Sequence, residues 1–461
     1  MFSFALLSIL KIVVRCACFV SCFVECVEGV NDSTSNVPLK LQHIHVLFRH
    51  GDRTPLVDPI NKDVPFVTTW PLGPGQLTEK GILQEYELGR WLRKKYENFI
   101  PEKYNGSDFH MRSTDVDRTL MSAQCVSAGV FHNSSSPLQP YGVNWRPIPV
   151  HTVSQEADVL LSVAPCPFLD VLRGLEMESE AAIQTEKNHS ALFELINRNL
   201  DVKIDRRNLW EVSDTLTCME AHAMQFPDWC SEQVYKELIE VETFYWNMMA
   251  STKDILRLEI GVFLHEFVQH LKSIVNGTTS SSFQTFNLST QHTVAYSAHD
   301  SDVTFLLAAF GVYDGKLVAY SSSVVLELYG PSQPGLLEQF SLRLLYKQGF
   351  SDPDGKYLQF PVCSDRPPTS GCPLNLVIKQ IESLLLDPAD FQSTCAAVGD
   401  THLMNAVQYF VSYSTSPFFI LIMLSCVLVM LCLTWLFIYQ RYKNRTRNSE
   451  IFRFAHLHST A

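Results

Sequence analysis

A chain of 461 residues with a formal net charge of −12 has room for two or three domains, or for one large two-part enzyme. The acidic balance excludes nucleic acid as a partner, because binding a phosphate backbone needs a basic face. A cluster of arginines in such a chain is therefore local chemistry and not a general surface property.

Residues 1–29 read as a secretory signal, with apolar stretches at 4–10, 12–14 and 17–24 and cleavage expected near Glu28 or Gly29. Lys11 and Arg15 interrupt the apolar core, so a signal anchor is the alternative. A polar stretch, Asn31–Asn36, leads to an apolar run, His43–Phe48, that reads as a buried strand. The run ends in Arg49-His50-Gly51-Asp52-Arg53-Thr54-Pro55. Two guanidiniums beside one imidazole are costly unless an anion is bound there, and arginine's planar fork suits phosphate. The positive field also lowers the histidine's pKa and leaves a neutral nitrogen free to attack. Gly51 is expected to allow a close ligand approach or positive φ, and Pro55 to end local pairing.

Thr78 caps an expected helix with apolar positions at Leu88, Trp91, Leu92, Tyr96 and Phe99, an ordinary packing helix. A short strand, Phe109–Met111, ends at Arg112, and Ser113–Thr119 opens a second helix running through Ala128. A strand delivering an arginine to a helix N-terminus makes an anion site, so Arg112 is expected to supply a third guanidinium. The first part of an α/β body thus spans 38–150. From 151 to 285 strand-like runs give way to helical patterns at Ser190–Asn199, Ser231–Met249 and Thr252–Val275, read as an inserted helical subdomain. The body resumes over 286–400. There a buried strand, Thr293–Ala298, ends in His299-Asp300, a helix follows over Asp302–Phe310, and Ser323–Tyr329 and Phe340–Lys347 read as a hairpin. Pro361–Cys372 is irregular and precedes a helix from Leu374 to Leu386.

A stalk, 401–417, leads to an uncharged apolar run of 22 residues, Phe418–Tyr439. This matches the roughly 20 residues of helix that cross a bilayer. Arg441, Lys443, Arg445 and Arg447 then place the tail, 440–461, in the cytoplasm. The expected product is a single-pass type I membrane protein with its catalytic part extracellular or luminal. It would reside at the cell surface or in the lysosomal or endosomal membrane. The tail lacks a tyrosine-based sorting pattern, which favours the surface. Of thirteen cysteines, seven remain outside the signal and span, in an oxidising compartment. Sequons at Asn31, Asn105, Asn133, Asn188, Asn276 and Asn287 are candidate glycosylation sites.

The strings Phe48–Pro55, Arg112–Ala123 and Tyr296–Asp300 closely resemble the histidine acid phosphatases of the histidine phosphatase superfamily, over about residues 40–400 and most weakly in the middle. The resemblance implies a phosphoglycerate-mutase-like sandwich, a central mixed sheet with flanking helices. It implies that His50 attacks phosphorus to form a phosphohistidine, and that Arg49, Arg53, Arg112 and His299 hold the phosphoryl oxygens. Asp300 would protonate the leaving alcohol. An Asp here, and not a Glu, is the form of the general acid phosphatases. No cofactor and no metal is implied, and no zinc-like ligand spacing is apparent. Trp210 matches a tryptophan at the family's pocket entrance. Trp145 and His151 match its dimer interface, so a homodimer is expected. The family pattern also pairs Cys166 with Cys395 and Cys363 with Cys372. Cys218 lacks its family partner, replaced around Ser323, so a local Cys218–Cys230 bridge is expected, with Cys125 left as a buried free thiol. Expected substrates are small phosphomonoesters, with nucleotides and lysophospholipids among the candidates. Two rivals stand beside this reading: an adhesion or receptor ectodomain on a dead phosphatase scaffold, and a phosphohistidine mutase or transferase. All six catalytic positions are filled, against the first, and the secretory signal argues against the second.

Overall fold

The computed structural model describes residues 39–61, 63–161, 164–278 and 292–396. The signal, stalk, apolar run 418–439 and tail lie outside them, as do Asn31 and Asn287. Among the described residues no helix is long and apolar enough to cross a membrane.

The first strand, β1 (Lys40–Arg49), is buried on both faces, as a central strand must be. Ile44, Val46 and Phe48 point one way, into a cluster with Leu88 and Leu92 of α1 (Glu79–Lys95) and Val126 and Val130 of α2 (Asp117–Val130). Each such side chain contributes roughly 1.5–3 kcal/mol on burial. His45, on the opposite face, meets Phe267 edge-on at 4.9 Å. Thr78 caps α1 as expected, accepting from the Gly81 amide at 3.1 Å.

β2 (Phe109–Ser113) and a two-residue strand, β3 (Val150–His151), follow. From there to β4 (Thr293–Ala298) the described residues form helices without strands. These are α3 (Pro167–Met177), α4 (Glu180–Asn188), α5 (Ser190–Asn199), α6 (Leu209–Ala221), α7 (Glu232–Ser251) and α8 (Lys253–Asn276). After β4 come α9 (Asp300–Ala309), β5 (Ser323–Gly330), β6 (Ser341–Lys347), β7 (Lys356–Leu358), β8 (Cys372–Pro373) and α10 (Leu374–Ile381). The sheet is mixed, in the order β3-β2-β4-β1-β5-β6-β7, with β8 on β6. β1, β2 and β4 run parallel, while β5 and β6 form the expected antiparallel pair. The fold is thus α/β, a mixed sheet with flanking helices.

The parallel register decides where the chemistry gathers. Arg49 pairs with Ala298 and Ser113 with Ser297, so the residues just after β1, β2 and β4 emerge at one edge of the sheet. Ligands of open α/β sheets collect at such carboxyl ends.

The chain forms two compact units. The larger takes the described residues up to Pro165 together with Leu172–Phe391, and so includes the sheet and the helices from α4 onward. The smaller comprises Cys166–Val171 and the described residues from Gln392, and the Cys166–Cys395 disulfide closes it. Within the larger unit Cys363 and Cys372 are bonded. Cys218 and Cys230 are not: both are buried free thiols, which corrects the expected local bridge. The Cys218 sulfur instead lies 3.8 Å from Arg53 Nη1 and 3.6 Å from the Tyr320 hydroxyl. Cys125 is free and half-buried.

Candidate active site

The loop after β1 is fastened before any ligand is considered. The Asp52 amide donates to Gln84 Oε1 at 2.8 Å, and its carboxylate accepts from the Thr78 hydroxyl at 2.5 Å and lies 2.7 Å from His222 Nε2. Gly51 contributes differently from its expected role. A Cβ there would fall 2.5 Å from the Gly81 carbonyl oxygen, so its glycine is required for close packing of the loop on α1.

His50 is buried, and its Nδ1 lies 2.8 Å from its neighbour Gly51's carbonyl oxygen. A carbonyl only accepts, so Nδ1 carries the proton and Nε2 keeps the free lone pair. Burial first, and then the charges of Arg118, Arg49, Arg53 and His299, hold this imidazole well below its ordinary pKa. The neutral form, with its lone pair free, is thereby favoured.

Arg49 ion-pairs with Asp300 at 2.9 Å, donates to the Val318 carbonyl and lies 4.2 Å above the Tyr320 ring. Arg53 makes a two-pronged pair with Asp214, at 2.8 and 3.2 Å. His299 follows β4, and its Nδ1 faces Arg118 Nη2 at 3.4 Å while its Nε2 lies 3.1 Å from Thr114 Oγ1. Arginine only donates, so His299 carries its proton on Nε2. The His50 and His299 rings stand 5.7 Å apart. Burial alone would raise the Asp300 carboxyl, but Arg49, Arg53 and His299 outweigh it and hold it below the ordinary carboxylate range.

Of the expected phosphate ligands, the structure brings together Arg49, Arg53 and His299, beside His50 and Asp300. It does not bring Arg112. That guanidinium is buried against Asp158, at 2.8 Å, and donates to the Ser113 carbonyl at 2.6 Å. The third guanidinium is Arg118, the second residue of α2. Burial and the neighbouring Arg53 and Arg49 push its pKa down to about 10, the mark of a cation crowded by cations.

A cavity of about 490 Å³ opens on these groups, with Arg49, Arg53 and Asp300 in its wall. Trp210, 40 % exposed, lies at its edge, with Tyr235, Trp246 and Tyr320 as further aromatic lining. Asp214 and Glu242 also line it, and burial raises the Glu242 carboxyl to about 7. Sequence reasoning missed Arg118, Asp214, Glu242 and Tyr320. A signal for Asp214 existed: Trp210, Asp214 and Cys218 recur at helical spacing on α6. A larger cavity of about 720 Å³, lined in part by Trp91, Lys94 and Lys347, contains none of His50, Asp300, Arg49, Arg53 and Arg118.

The profile described as histidine phosphatase superfamily (branch 2) matches residues 40–347, which take in the whole of this constellation. The chain belongs to that family. As a branch 2 histidine phosphatase it is 32 % identical to lysosomal acid phosphatase of Rattus norvegicus over 367 residues, covering 78 % of this chain and 81 % of the rat protein. It is also 32 % identical to prostatic acid phosphatase of Bos taurus, covering 77 % of this chain and 88 % of the bovine one. This histidine phosphatase is thus an acid phosphatase, a phosphoric monoester hydrolase. Among solved structures, Hafnia alvei phytase in complex with tartrate matches with a TM-score of 0.57 at 14 % identity, over 77 % of this chain and 99 % of that one. At that identity the likeness is one of fold.

Proposed function

We propose that the enzyme hydrolyses phosphate monoesters through a phosphohistidine on His50. One observation carries the reading: Arg49, Arg53, Arg118, His299 and Asp300 converge around the bare Nε2 of a neutral His50. Nε2 attacks phosphorus while the ester oxygen departs, and Asp300 supplies the proton that oxygen takes. Water then attacks the phosphohistidine, the P–N bond breaks, and Asp300 recovers a proton. Arg49, Arg53, Arg118 and His299 hold the phosphoryl oxygens, aimed at charge that grows in the transition state. Arg112 leaves this set and becomes a structural residue. The aromatic wall at Trp210 and Tyr235 suits substrates with a flat or apolar leaving group, such as nucleotides or lysophospholipids.

The apolar run 418–439 and its basic flank support a type I anchor with the catalytic part extracellular or luminal, at the surface or in a lysosomal or endosomal membrane. Asn105, Asn133, Asn188 and Asn276 are exposed, as glycan acceptors must be. Tyr141, Val143 and Trp145 are exposed beside the edge strand β3, which supports a homodimer contact there. His151, by contrast, is half-buried with its ring stacked on His110 at 4.6 Å.

The test is phosphate release at pH 5 by the full chain and by His50→Ala and Asp300→Asn. His50→Ala should lose essentially all turnover. Asp300→Asn should lose far more on an alkyl phosphate than on p-nitrophenyl phosphate, whose leaving group needs no proton. Undiminished hydrolysis by folded His50→Ala would overturn the mechanism and reopen the receptor reading.

A further inference from the structure

Away from the catalytic pocket, three histidines meet inside the fold. His43 and His45 sit two apart on β1 and therefore share one face. His270 reaches them from α8. All three are essentially inaccessible, at 1 %, 1 % and 0 % exposure. Their ring centroids form a triangle with sides of 4.4, 4.7 and 5.1 Å. One nitrogen from each ring can be chosen so that all three lie within 4.8 Å of one another.

We propose that His43, His45 and His270 form a structural site for a zinc-class transition-metal ion, which ties β1 to α8. Three imidazoles supply three of the four ligands that zinc takes, with an enclosed water as the fourth, and imidazole suits zinc, copper and nickel alike. The spacing fits. His45 Nε2 and His270 Nδ1 are 3.2 Å apart, and zinc–nitrogen bonds of about 2.0–2.1 Å at tetrahedral angles separate two ligands by roughly 3.3 Å. Metal binding replaces that hydrogen bond with two coordination bonds, and the donor ring moves its proton to its other nitrogen. The histidines themselves need release no proton.

Packing alone explains the cluster less well. His45 Nδ1 is buried without a hydrogen-bond partner among the described residues, a deficit of about 1–3 kcal/mol that a leucine or valine would not incur. A dication here needs counter-charge. Glu266 lies one turn before His270 on α8, with its Oε2 buried and unpartnered among the described residues; burial, then Asp387, raises its carboxyl to about 7, so it supplies that charge once the ion draws off its proton. The Tyr296 ring lies parallel to that of His45, with centroids 6.1 Å apart.

Because all three rings are closed to solvent, the ion would be taken up as the fold forms and released only on unfolding. The full chain, produced with zinc in the medium, should therefore carry about one metal ion after exhaustive dialysis against EDTA, and lose it when EDTA and guanidinium are combined. Production with cobalt(II) should give the visible absorption of a tetrahedral site. In His270→Gln and in His43→Val, retained metal should fall to about a tenth or less, since losing even an outer partner of a ligand costs on the order of 10- to 100-fold in affinity. Phosphatase activity serves as the folding control, since none of the three belongs to the catalytic set. Active wild-type protein without retained metal would overturn the proposal, as would metal retained equally by active variants. If a variant does not fold, the wild-type metal content and its release on unfolding still decide the question.

Discussion

The exchange of Arg118 for Arg112 can be tested by giving each arginine to alanine. Arg118 is crowded by Arg53 and Arg49 and reaches His299 at 3.4 Å, so it holds charge ready for an anion. Losing one preorganised donor of this kind costs about 100- to 1,000-fold in rate, or ~2.7–4 kcal/mol of transition-state stabilisation. Folding stability should hold or rise slightly, because one of several crowded cations is gone. Arg118 depresses the pKa of His50 and His299, so its removal raises both. The acid limb of the pH–rate profile, below which His50 is protonated and inert, must then move to higher pH. Arg112→Ala does the opposite on both counts. It strands Asp158, whose side chain is 1 % exposed, and breaking a buried pair costs about 3–5 kcal/mol. Burial already raises the Asp158 carboxyl. Without Arg112 the group can fold as the neutral acid, and the destabilisation should be smaller at pH 5 than at pH 8. The assay is kcat/KM on a small phosphomonoester beside urea unfolding at both pH values. An Arg118→Ala enzyme of normal activity, or an Arg112→Ala enzyme of normal stability with turnover lost, would refute the reasoning.

Two further outcomes are expected. Glu242 has a folded pKa raised to about 7, so its contribution to stability is complete below its unfolded value near 4.5 and is lost as pH rises through 7. Going from pH 5 to pH 8 should cost the wild type about 2.5 kcal/mol more than Glu242→Gln, and parallel pH dependences in unfolding experiments would contradict this. Alkylation under denaturing but non-reducing conditions should label Cys125, Cys218 and Cys230 and spare Cys166, Cys363, Cys372 and Cys395. A peptide linking Cys218 to Cys230 would restore the bridge that the structure lacks.

What could be read from the sequence was local. The strand before Arg49, the cap at Thr78, the strand Thr293–Ala298 and the β5–β6 pair each declare themselves within a dozen residues, through apolar runs and the residues that end them. Arg112 was misread for the opposite reason. Two arginines six positions apart flank the turn from β2 into α2, and which one faces the ligand depends on Asp158, which lies in a loop some forty residues later. The helix N-terminus argument itself points to Arg118, since that residue stands in the first turn of α2 and Arg112 does not. The histidine triangle was hidden differently. His43 and His45 merge into an apolar run, and their partner lies 225 residues away from His45, so no spacing rule reaches it. Cys218 and Cys230 looked like partners by elimination, which knows nothing of the direction in which a helix turns its side chains.

The site's charges also bear on why this chemistry belongs in acid. Three guanidiniums, Arg49, Arg53 and Arg118, stand with two carboxylates, Asp214 and Asp300. With both carboxylates ionised and the two histidines neutral, the site carries one net positive charge. A phosphomonoester dianion would leave it one net negative, in a wall where burial makes charge expensive. Protonating Asp300 restores neutrality. The same step frees Arg49, now paired to Asp300 at 2.9 Å, to turn its fork to the phosphoryl oxygens, and it leaves Asp300 in the acid form that the departing alcohol requires. Uptake of the substrate and protonation of the general acid thus favour each other, although the empty site holds Asp300 ionised. Falling pH assists both until His50 itself is protonated, and Arg118, Arg49 and Arg53 postpone that limit by keeping the imidazole neutral. On the proposed mechanism, the arginines that hold the phosphate therefore also set the lower pH at which His50 can attack.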